Sequence, residues 1–302
     1  MSTNIVPGRR RCRRATNRQG FVLVMTLVLI VIVSITTVSL ARVSLQRAMM
    51  AVDAQIELEH EWAARSCHQM LLDEADALFE GLESQHLEDE RNWPSPRVFE
   101  DAYLLNGVQY RILLSDENAK ININALNRKI PLQAEAIVRR LSGDTDLSLL
   151  QELPTALKEA AISEQPIGSW GQIFPMDTVF QNGQVGALIG ATEHITCWGN
   201  GLVNVRRIGD RALLEIGREL ADPSTVADLV DFRRNATEPD SRQLRQSMAD
   251  ARDNELPSWF TDRSYCYSLW IEVDDGKRKW YHLGIVGGGN EENTAARISF
   301  HW

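Results

Sequence analysis

The segment from Gly20 to Ala41 reads GFVLVMTLVLIVIVSITTVSLA, and the remainder of the chain is arranged around it. The 21 residues from Phe21 to Ala41 contain no charge, no proline and no glycine. At about 1.5 Å of rise per residue, a helix of this length measures roughly 31 Å, close to the ~30 Å hydrocarbon layer of a bilayer. We therefore predict a membrane-spanning helix over residues 21–41.

Residues 1–20 form a basic leader in front of this span. The leader contains no acidic residue and six arginines: Arg9, Arg10, Arg11, Arg13, Arg14 and Arg18. The whole chain carries a formal net charge of −9, so subtracting the leader's +6 leaves −15 on the body. Because positive charge beside a span is retained on the cytoplasmic side, we predict a cytoplasmic leader and an acidic body across the membrane. The acidic body also argues against a nucleic-acid partner.

Two ordinary explanations fit a basic leader followed by an apolar run. A secretory signal peptide would have a shorter apolar region, about 7–15 residues, ending at a small-residue cleavage site. Here the run is longer and continues into Ala41-Arg42-Val43. A plain single-pass anchor explains the span equally well. Only the junction between leader and span can distinguish these classes of segment.

That junction is Gly20-Phe21, and it resembles the type III signal of type IV prepilins and type II secretion pseudopilins. The resemblance implies that a membrane aspartic protease, the prepilin peptidase, cuts after Gly20 and that the new N-terminal Phe21 is N-methylated. Glycine suits the position before the cut, because a residue without a Cβ can extend and approach the protease closely.

Met25 departs from the pattern of these families. Most members carry glutamate at this fifth position of the mature chain, where it pairs with the N-terminal amine of a neighbouring subunit. An unpaired carboxylate is costly in hydrocarbon, so its absence makes the span easier to insert but removes one assembly contact. Within the pseudopilins, the K-type minor subunit typically lacks this glutamate, although an ordinary anchor would lack it too.

The helical pattern continues beyond the span. Residues 42–80 contain no proline or glycine, and Leu45, Met49, Val52 and Ile56 are spaced 4, 3 and 4 residues apart. We predict one helix from about Phe21 to about Glu80 that first spans the membrane and then packs onto the body. A solvated coiled-coil stalk is the alternative.

Strand-like segments occur near both ends of the body. They cover 108–114, 121–124, 265–273, 279–286 and 295–302, with Asp274-Asp275-Gly276-Lys277 as a hairpin turn. In the third segment, one face is formed by Tyr265, Tyr267, Leu269, Ile271 and Val273. Helical segments lie between, at 132–141, 146–161 (interrupted by Pro154), 168–174, 184–189, 211–220 and 224–234.

These patterns predict an α+β fold in which a long N-terminal transmembrane helix packs on an antiparallel sheet with an inserted, mostly helical subdomain. The sheet is expected from segments near 98–125 and 264–302. The predicted boundaries are leader 1–20, span 21–41, soluble helix and first strands 42–126, helical insert 127–235, and loop with C-terminal strands 236–302.

Two asparagine-containing segments carry a second resemblance. The first runs from Asp116 to Leu126 as DENAKININAL, and the second runs from Asn200 to Val205 as NGLVNV. Both lead into helix-rich segments, so they form a loose internal repeat. They are similar to two signatures of K-type minor pseudopilins of the general secretion pathway. The signature positions in this chain are Asp116, Glu117, Lys120, Asn122, Asn124, Gly201 and Asn204.

This resemblance implies a structural subunit at or near the tip of the type II secretion pseudopilus, anchored in the inner membrane with a periplasmic body. The implied partners are other minor pseudopilins, the major pseudopilin, the prepilin peptidase and the membrane. The alternatives are a minor type IV pilus-like pilin, or a signal-anchored periplasmic binding module, with helix-hairpin-helix DNA binding as its extreme form.

The signature residues themselves have two interpretations. Asp116, Glu117, Asn122 and Asn124 could form a metal or ligand site, or the asparagines could cap helices and turns where strand gives way to helix. We favour caps and expect no cofactor. Calcium is a second hypothesis at Asp274-Asp275 or Glu291-Glu292, although the chain has no twelve-residue calcium loop.

Enzymatic function is not predicted. The sequence has no serine elbow, zinc pair or paired-carboxylate pattern, and its six histidines are scattered. The four cysteines, Cys12, Cys67, Cys197 and Cys266, show no metal-ligand spacing, and their spacing does not assign a disulfide.

Overall fold

The structure, a computed structural model, describes residues 18–88, 95–105, 107–143, 151–220, 230–231, 256–287 and 296–301. The chain divides into two compact units between Trp62 and Ala63. Most of the leader and of the loop predicted to begin at residue 236 lies outside the described residues, as do Glu291 and Glu292.

The first unit is built on the long helix α1, Arg18–Asp73, whose first 45 residues belong to it. By length and composition α1 can cross a membrane: its most apolar window reaches a mean hydropathy of 2.9. Threonine hydroxyl groups in the predicted span have partners within the helix. Thr26 Oγ1 donates to Leu23 O at 2.8 Å and Thr37 Oγ1 donates to Val33 O at 2.7 Å. Such bonds to the preceding turn satisfy polar groups without water.

The predicted single helix to Glu80 is wrong at one point. Helix α1 ends at Asp73, and a second helix, α2 (Ala75–Glu88), follows after a bend at Glu74. The bend keeps helical bonding on both sides, because Glu74 N donates to Met70 O at 3.3 Å and Leu78 N donates to Glu74 O at 2.9 Å. Leu72, Ala75 and Phe79 are buried, so the change of direction keeps one apolar stripe on the core.

The second unit contains nine strands and six further helices among the described residues. The strands are β1 Val98–Leu105, β2 Val108–Asp116, β3 Ile121–Asn122, β4 Ile195–Thr196, β5 Val203–Asn204, β6 Phe260–Thr261, β7 Cys266–Asp274, β8 Lys279–Gly287 and β9 Ala296–His301. The helices are α3 Ile123–Lys129, α4 Pro131–Leu141, α5 Leu153–Ser163, α6 Met176–Gln181, α7 Val185–Ala191 and α8 Asp210–Leu220.

The main sheet has five antiparallel strands in the order β1-β2-β7-β8-β9. The other two ladders are short parallel pairs, β3 with β4 and β5 with β6. Helices and an antiparallel sheet are thus combined as predicted, and the α+β prediction is confirmed.

Strand β7 is buried on both faces. Its residues Tyr267, Leu269, Ile271 and Val273 share one apolar cluster with Ala64, Leu72, Ala75 and Phe79 of α1 and α2. Cys266 and Trp270 point to the opposite face and join the larger cluster formed by the helical subdomain. The predicted apolar face is therefore correct from Tyr267 onward, whereas Tyr265 precedes the strand and is 40% exposed. The alternating sequence of β7 did not predict that its opposite face is buried as well.

The helical subdomain is inserted between two neighbouring strands. The chain leaves the sheet after Asp116, forms α3 to α8 with the short parallel pairs, and returns at Cys266 beside the strand that it left. We call residues 117–265 the insert. Pro154 does not interrupt a helix as predicted; it lies in the first turn of α5, where a missing N–H costs nothing.

Helix α1 lies close to the sheet at Gly284. A Cβ on Gly284 would lie 2.8 Å from Cδ2 of His68, so a larger residue there would collide with the imidazole. His68 Nε2 lies 3.2 Å from Leu269 O. Burial lowers the pKa of His68 from 6.5 to about 4, and nearby His282 also lowers it, while the bond to Leu269 O opposes the change.

We predict that His68 makes the second unit less stable in acid. Its folded-state pKa lies below its unfolded value of 6.5, so its contribution is present above pH 6.5 and is lost as pH falls toward about 4. In denaturant unfolding of the full chain in detergent, His68→Gln should reduce the stability difference between pH 7 and pH 4.5 by about 2–3 kcal/mol. The unmodified chain, measured at both pH values, is the control. An unaltered pH dependence in His68→Gln would contradict the assignment.

Candidate functional site

The first signature forms the passage from the sheet into the insert. Asp116, the last residue of β2, is fully buried, and its Oδ1 accepts from Asn118 N at 2.9 Å to cap the 3₁₀ turn Glu117–Ala119. Asn122, the last residue of β3, accepts from Ala125 N at 3.0 Å and caps α3. Because this cap starts the helix at Ile123, the predicted strand through Asn124 is wrong. Ile121, Asn122 and Ile123 are all buried.

The same asparagines also bind backbone groups that are distant in sequence. Asn122 Nδ2 donates to Trp198 O at 2.6 Å, and Asn124 Nδ2 donates to both Ile167 O and Cys197 O at 2.9 Å. Asn124 Oδ1 accepts from Ile167 N at 2.7 Å. An amide carries donors and an acceptor in one side chain. Each asparagine can therefore bind backbone C=O groups and backbone N–H groups of neighbouring segments that have no ladder partner.

Asn118 fixes the point where the chain re-enters the sheet. Its Oδ1 accepts from Tyr265 N at 2.9 Å and from Cys266 N at 3.0 Å, and its Nδ2 donates to Leu202 O at 2.9 Å. Asn118 therefore joins the start of the insert, its end and the second signature.

The second signature meets the first through Ser264. Asn204 ends β5, its Oδ1 accepts from Arg206 N at 2.9 Å, and its Nδ2 donates to Ser264 Oγ at 2.8 Å. Ser264 Oγ donates onward to Asp116 Oδ2 at 2.5 Å. Asn122 and Asn204 thus do equivalent work: each ends a two-residue strand in a parallel pair and accepts from a backbone N–H just downstream. The internal repeat has a structural counterpart.

Gly201 lets the two signatures approach each other. Its φ is 81°, in the left-handed region that favours glycine, and an added Cβ would lie 3.0 Å from Ala125 Cβ. The turn that precedes β5 therefore rests directly on the start of α3.

The guanidinium of Arg207 pairs with both α2 and β2. Its Nη1 lies 3.1 Å from Asp116 Oδ2 and its Nη2 lies 3.2 Å from Glu83 Oε2. Arg206 Nη2 lies 2.6 Å from the other oxygen of Glu83. Burial raises the pKa of Asp116, while Arg207 and the Ser264 hydroxyl stabilise the charged carboxylate and oppose that change.

A further pair lies next to this network. Glu117 Oε1 accepts from Lys120 Nζ at 2.6 Å and from Ser268 Oγ at 2.5 Å, so it ties the start of the insert to β7. All these residues converge where the insert leaves and rejoins the sheet. We call them the polar clamp; its members are Glu83, Asp116, Glu117, Asn118, Lys120, Asn122, Asn124, Asn204, Arg207, Ser264 and Ser268.

The polar clamp has the chemistry of a structural joint. Its carboxylates already accept from arginine, lysine or serine, and its amides bind backbone groups. Within the described ranges, no group of three or more His, Cys, Asp or Glu side chains is arranged to hold a metal ion. In the predicted calcium turn, Asp274 Oδ1 accepts from Gly276 N and Asp275 Oδ1 accepts from Lys277 N, each at 2.7 Å. These contacts test neither the expectation of no cofactor nor the calcium hypothesis.

Sequence reasoning missed several clamp members. Asn118 stood inside the first signature but at a position to which no role was given. Glu83 looked like one more charge on a helix surface, and Arg207 lies just beyond the second signature. The available signal was the pair Arg206-Arg207 directly after the second signature, but the partners of Arg207 are 91 and 124 residues away.

The residues of the predicted processing site lie at the start of α1. Gly20 has no atom within 4 Å of the place where a Cβ would stand. Phe21 is 67% exposed and Met25 is 51% exposed. Packing within this chain therefore does not require glycine at position 20.

We predict that Gly201→Ala destabilises the chain more than Gly276→Ala. Both glycines have φ near +80°, so the backbone strain is shared, but only at Gly201 would the Cβ meet another side chain. The difference in unfolding free energy should be about 1–2 kcal/mol, measured by denaturant unfolding in detergent with tryptophan fluorescence. Equal losses in the two variants would show that the contact with Ala125 is unimportant.

We also predict a large cost for removing Arg207. Arg207→Met leaves two buried carboxylates without their shared cation and should lower the unfolding free energy by about 3–5 kcal/mol. The control is Arg111→Met, because Arg111 pairs with Glu100 where both side chains are about half exposed (54% and 49%). That variant should lose less than ~1 kcal/mol. Similar losses at both positions would contradict the role of the clamp.

Comparison with known proteins gives little beyond the geometry. No protein-family model matches the chain, and no curated protein matches it. Among solved structures, the chain is similar to a chain of the GspK-GspI-GspJ complex from the type 2 secretion system of enterotoxigenic Escherichia coli. The identity is 13%, the match covers 80% of this chain and 98% of that chain, and the TM-score is 0.36. A likeness of this degree carries no inference about function.

Proposed function

We propose that this chain is a K-type minor pseudopilin: a structural, non-catalytic subunit of a type II secretion pseudopilus that lies at or near the tip. The observation that carries the proposal is the meeting of the two signature segments. They are about 80 residues apart in sequence, yet Asn118 binds Leu202 O and Asp116 is linked to Asn204 through Ser264. They meet at the base of a helical insert, in a chain whose helix α1 is long and apolar enough to cross a membrane.

Gly20 supports processing by a prepilin peptidase. A glycine inside a helix costs about 1 kcal/mol relative to alanine, and the space around Gly20 is open. Packing within the chain does not explain the glycine at this position. Recognition by another protein explains it better. On this proposal the arginine-rich leader stays in the cytoplasm, the peptidase cuts between Gly20 and Phe21, and the body lies in the periplasm.

A position at the tip follows from the insert and from Met25. The insert emerges between two strands at the centre of the sheet and is fixed to α2 by Arg206 and Arg207 on Glu83, so its bulk cannot swing aside. Such bulk would hinder another subunit from stacking above. Met25 offers no carboxylate to the N-terminal amine of a neighbour, which removes a contact that a subunit in the middle of the filament would use.

The mass of the mature N-terminus tests the processing step. We expect a chain that begins at N-methyl-Phe21 when the protein is produced with a prepilin peptidase in its membrane. An intact Met1, or a cut near Ala41, would contradict the proposal and would favour a plain anchor or a cleaved secretory signal.

Deletion of the chain should abolish export of proteins through the outer membrane, while surface pili persist. Loss of surface pili with export intact would favour the type IV pilus alternative.

Gly20→Leu should block the cut by adding a side chain where the protease approaches the backbone. We expect at least a tenfold loss of processed chain on immunoblots of membrane fractions. Gly81→Leu is the matched control, because Gly81 is also a helical glycine with open space around it. Its processing should equal that of the unmodified chain, and normal processing of Gly20→Leu would contradict the assigned cleavage site.

A further inference from the structure

Asparagine is followed directly by glycine at three places in the chain: Asn106-Gly107, Asn182-Gly183 and Asn200-Gly201. Such pairs are chemically labile, because a glycine has no Cβ to keep its backbone nitrogen away from the asparagine side chain. That nitrogen can attack the side-chain amide carbon and displace ammonia. Asn106 lies outside the described residues, so the structure compares the other two pairs.

The side chain of Asn182 is exposed and unrestrained. Asn182 and Gly183 lie in the turn between α6 and α7, and the side chain of Asn182 has no hydrogen-bond partner among the residues that the structure describes. Gly183 has a φ of 65°, and no atom lies within 4 Å of the place where its Cβ would stand. The turn therefore has room to rotate.

One hydrogen bond opposes the attack at this turn. The N–H of Gly183 donates to Phe180 O at 3.2 Å, which is the long end of the normal range for an N–H···O bond. A bond of this length at an exposed helix end restrains the nitrogen only weakly.

The side chain of Asn200 is held, in contrast. Its Oδ1 accepts from Leu202 N at 2.9 Å and from Asn118 Nδ2 at 3.2 Å. The following Gly201 is buried, and the place of its Cβ lies 3.0 Å from Ala125 Cβ. Rotating Asn200 Cγ toward the nitrogen of Gly201 would break these hydrogen bonds and move a turn that is packed against α3.

We propose that Asn182 is a site of spontaneous deamidation, and that the hydrogen bonds and packing of the second signature protect Asn200 from the same reaction. The nitrogen of Gly183 forms a bond to Asn182 Cγ, the bond from Cγ to Nδ2 breaks, and ammonia leaves with the proton of the Gly183 N–H. Water then opens the succinimide ring. Opening at Cγ gives aspartate, and opening at the main-chain carbonyl gives isoaspartate. Water is the only co-reactant.

Either product changes the turn between α6 and α7. Both add a carboxylate to the surface of the insert, and isoaspartate also lengthens the main chain by one atom. Helix α7 follows directly, and its residues Val185, Leu188 and Ala191 lie in the large apolar cluster. The insert therefore acquires, with time, a new negative charge and an altered connection to a buried helix.

Peptide mapping of the full chain in detergent tests this assignment. The purified chain is incubated in mildly alkaline buffer, and chymotrypsin then separates the two asparagines by cutting at Trp198. Mass spectrometry should show aspartate and isoaspartate forming at Asn182 at least tenfold faster than at Asn200. In a parallel sample unfolded in denaturant, the two asparagines should convert at similar rates, because glycine follows both and no fold protects either.

Gly183→Asp provides a second readout. Conversion of Asn182 should slow at least fivefold, because a side chain then hinders the attacking nitrogen, while aspartate still tolerates a positive φ. The matched control is Gly276→Asp, at another exposed glycine with a positive φ and open space around it. Asn182 should convert in that variant as fast as in the unmodified chain.

Two results would overturn the inference. Equal rates at Asn182 and Asn200 in the folded chain would show that the second signature gives no protection. An Asn182 that stays intact in the folded chain, while it converts in the unfolded chain, would show that the turn between α6 and α7 is not a deamidation site.

Discussion

The structure depends on one constraint: a buried guanidinium needs two carboxylates from different parts of the chain as its ion-pair partners. Burial of the Arg207 charge is tolerated only if Glu83 and Asp116 pair with it. Burial of these two carboxylates in turn requires Arg207. Glu83 belongs to α2, Asp116 ends β2, and Arg207 belongs to the insert. The mutual dependence of these charges fixes the insert, the helix and the sheet to one another at a single point.

Around that point the chain uses amides in place of sheet bonds. Where β2 ends and β7 begins, backbone groups of three segments come together without a continuous ladder. Asparagine side chains supply the missing partners, each donating and accepting at once. A carboxylate could accept but not donate. The asparagines of the two signatures are thus explained by these hydrogen bonds.

The sequence predicted what depends on local patterns. The apolar run predicted α1, alternation predicted β7 with its hairpin turn, and the order of the elements predicted an α+β fold with a helical insert. Three features could not be obtained in this way. The bend at Glu74 follows from packing on the sheet, the second buried face of β7 depends on what the insert covers, and Arg207 has partners on separate elements. Pro154 could not be assigned from the sequence either. A proline occurs both where a helix is interrupted and in the first turn of a helix, and only the structure places Pro154 in the first turn.

The place of the insert between two paired strands has a consequence for how the chain reaches its fold. Both hairpins, β1–β2 and β7–β8, close over short turns, but β2 can pair with β7 only after a loop of about 150 residues has been closed. Such closure is slow when the loop is a flexible coil and much faster when the loop is already compact. We therefore expect the insert to become compact first and to bring its own ends together. The asparagines at its base would then hold β2 beside β7 while the central ladder forms.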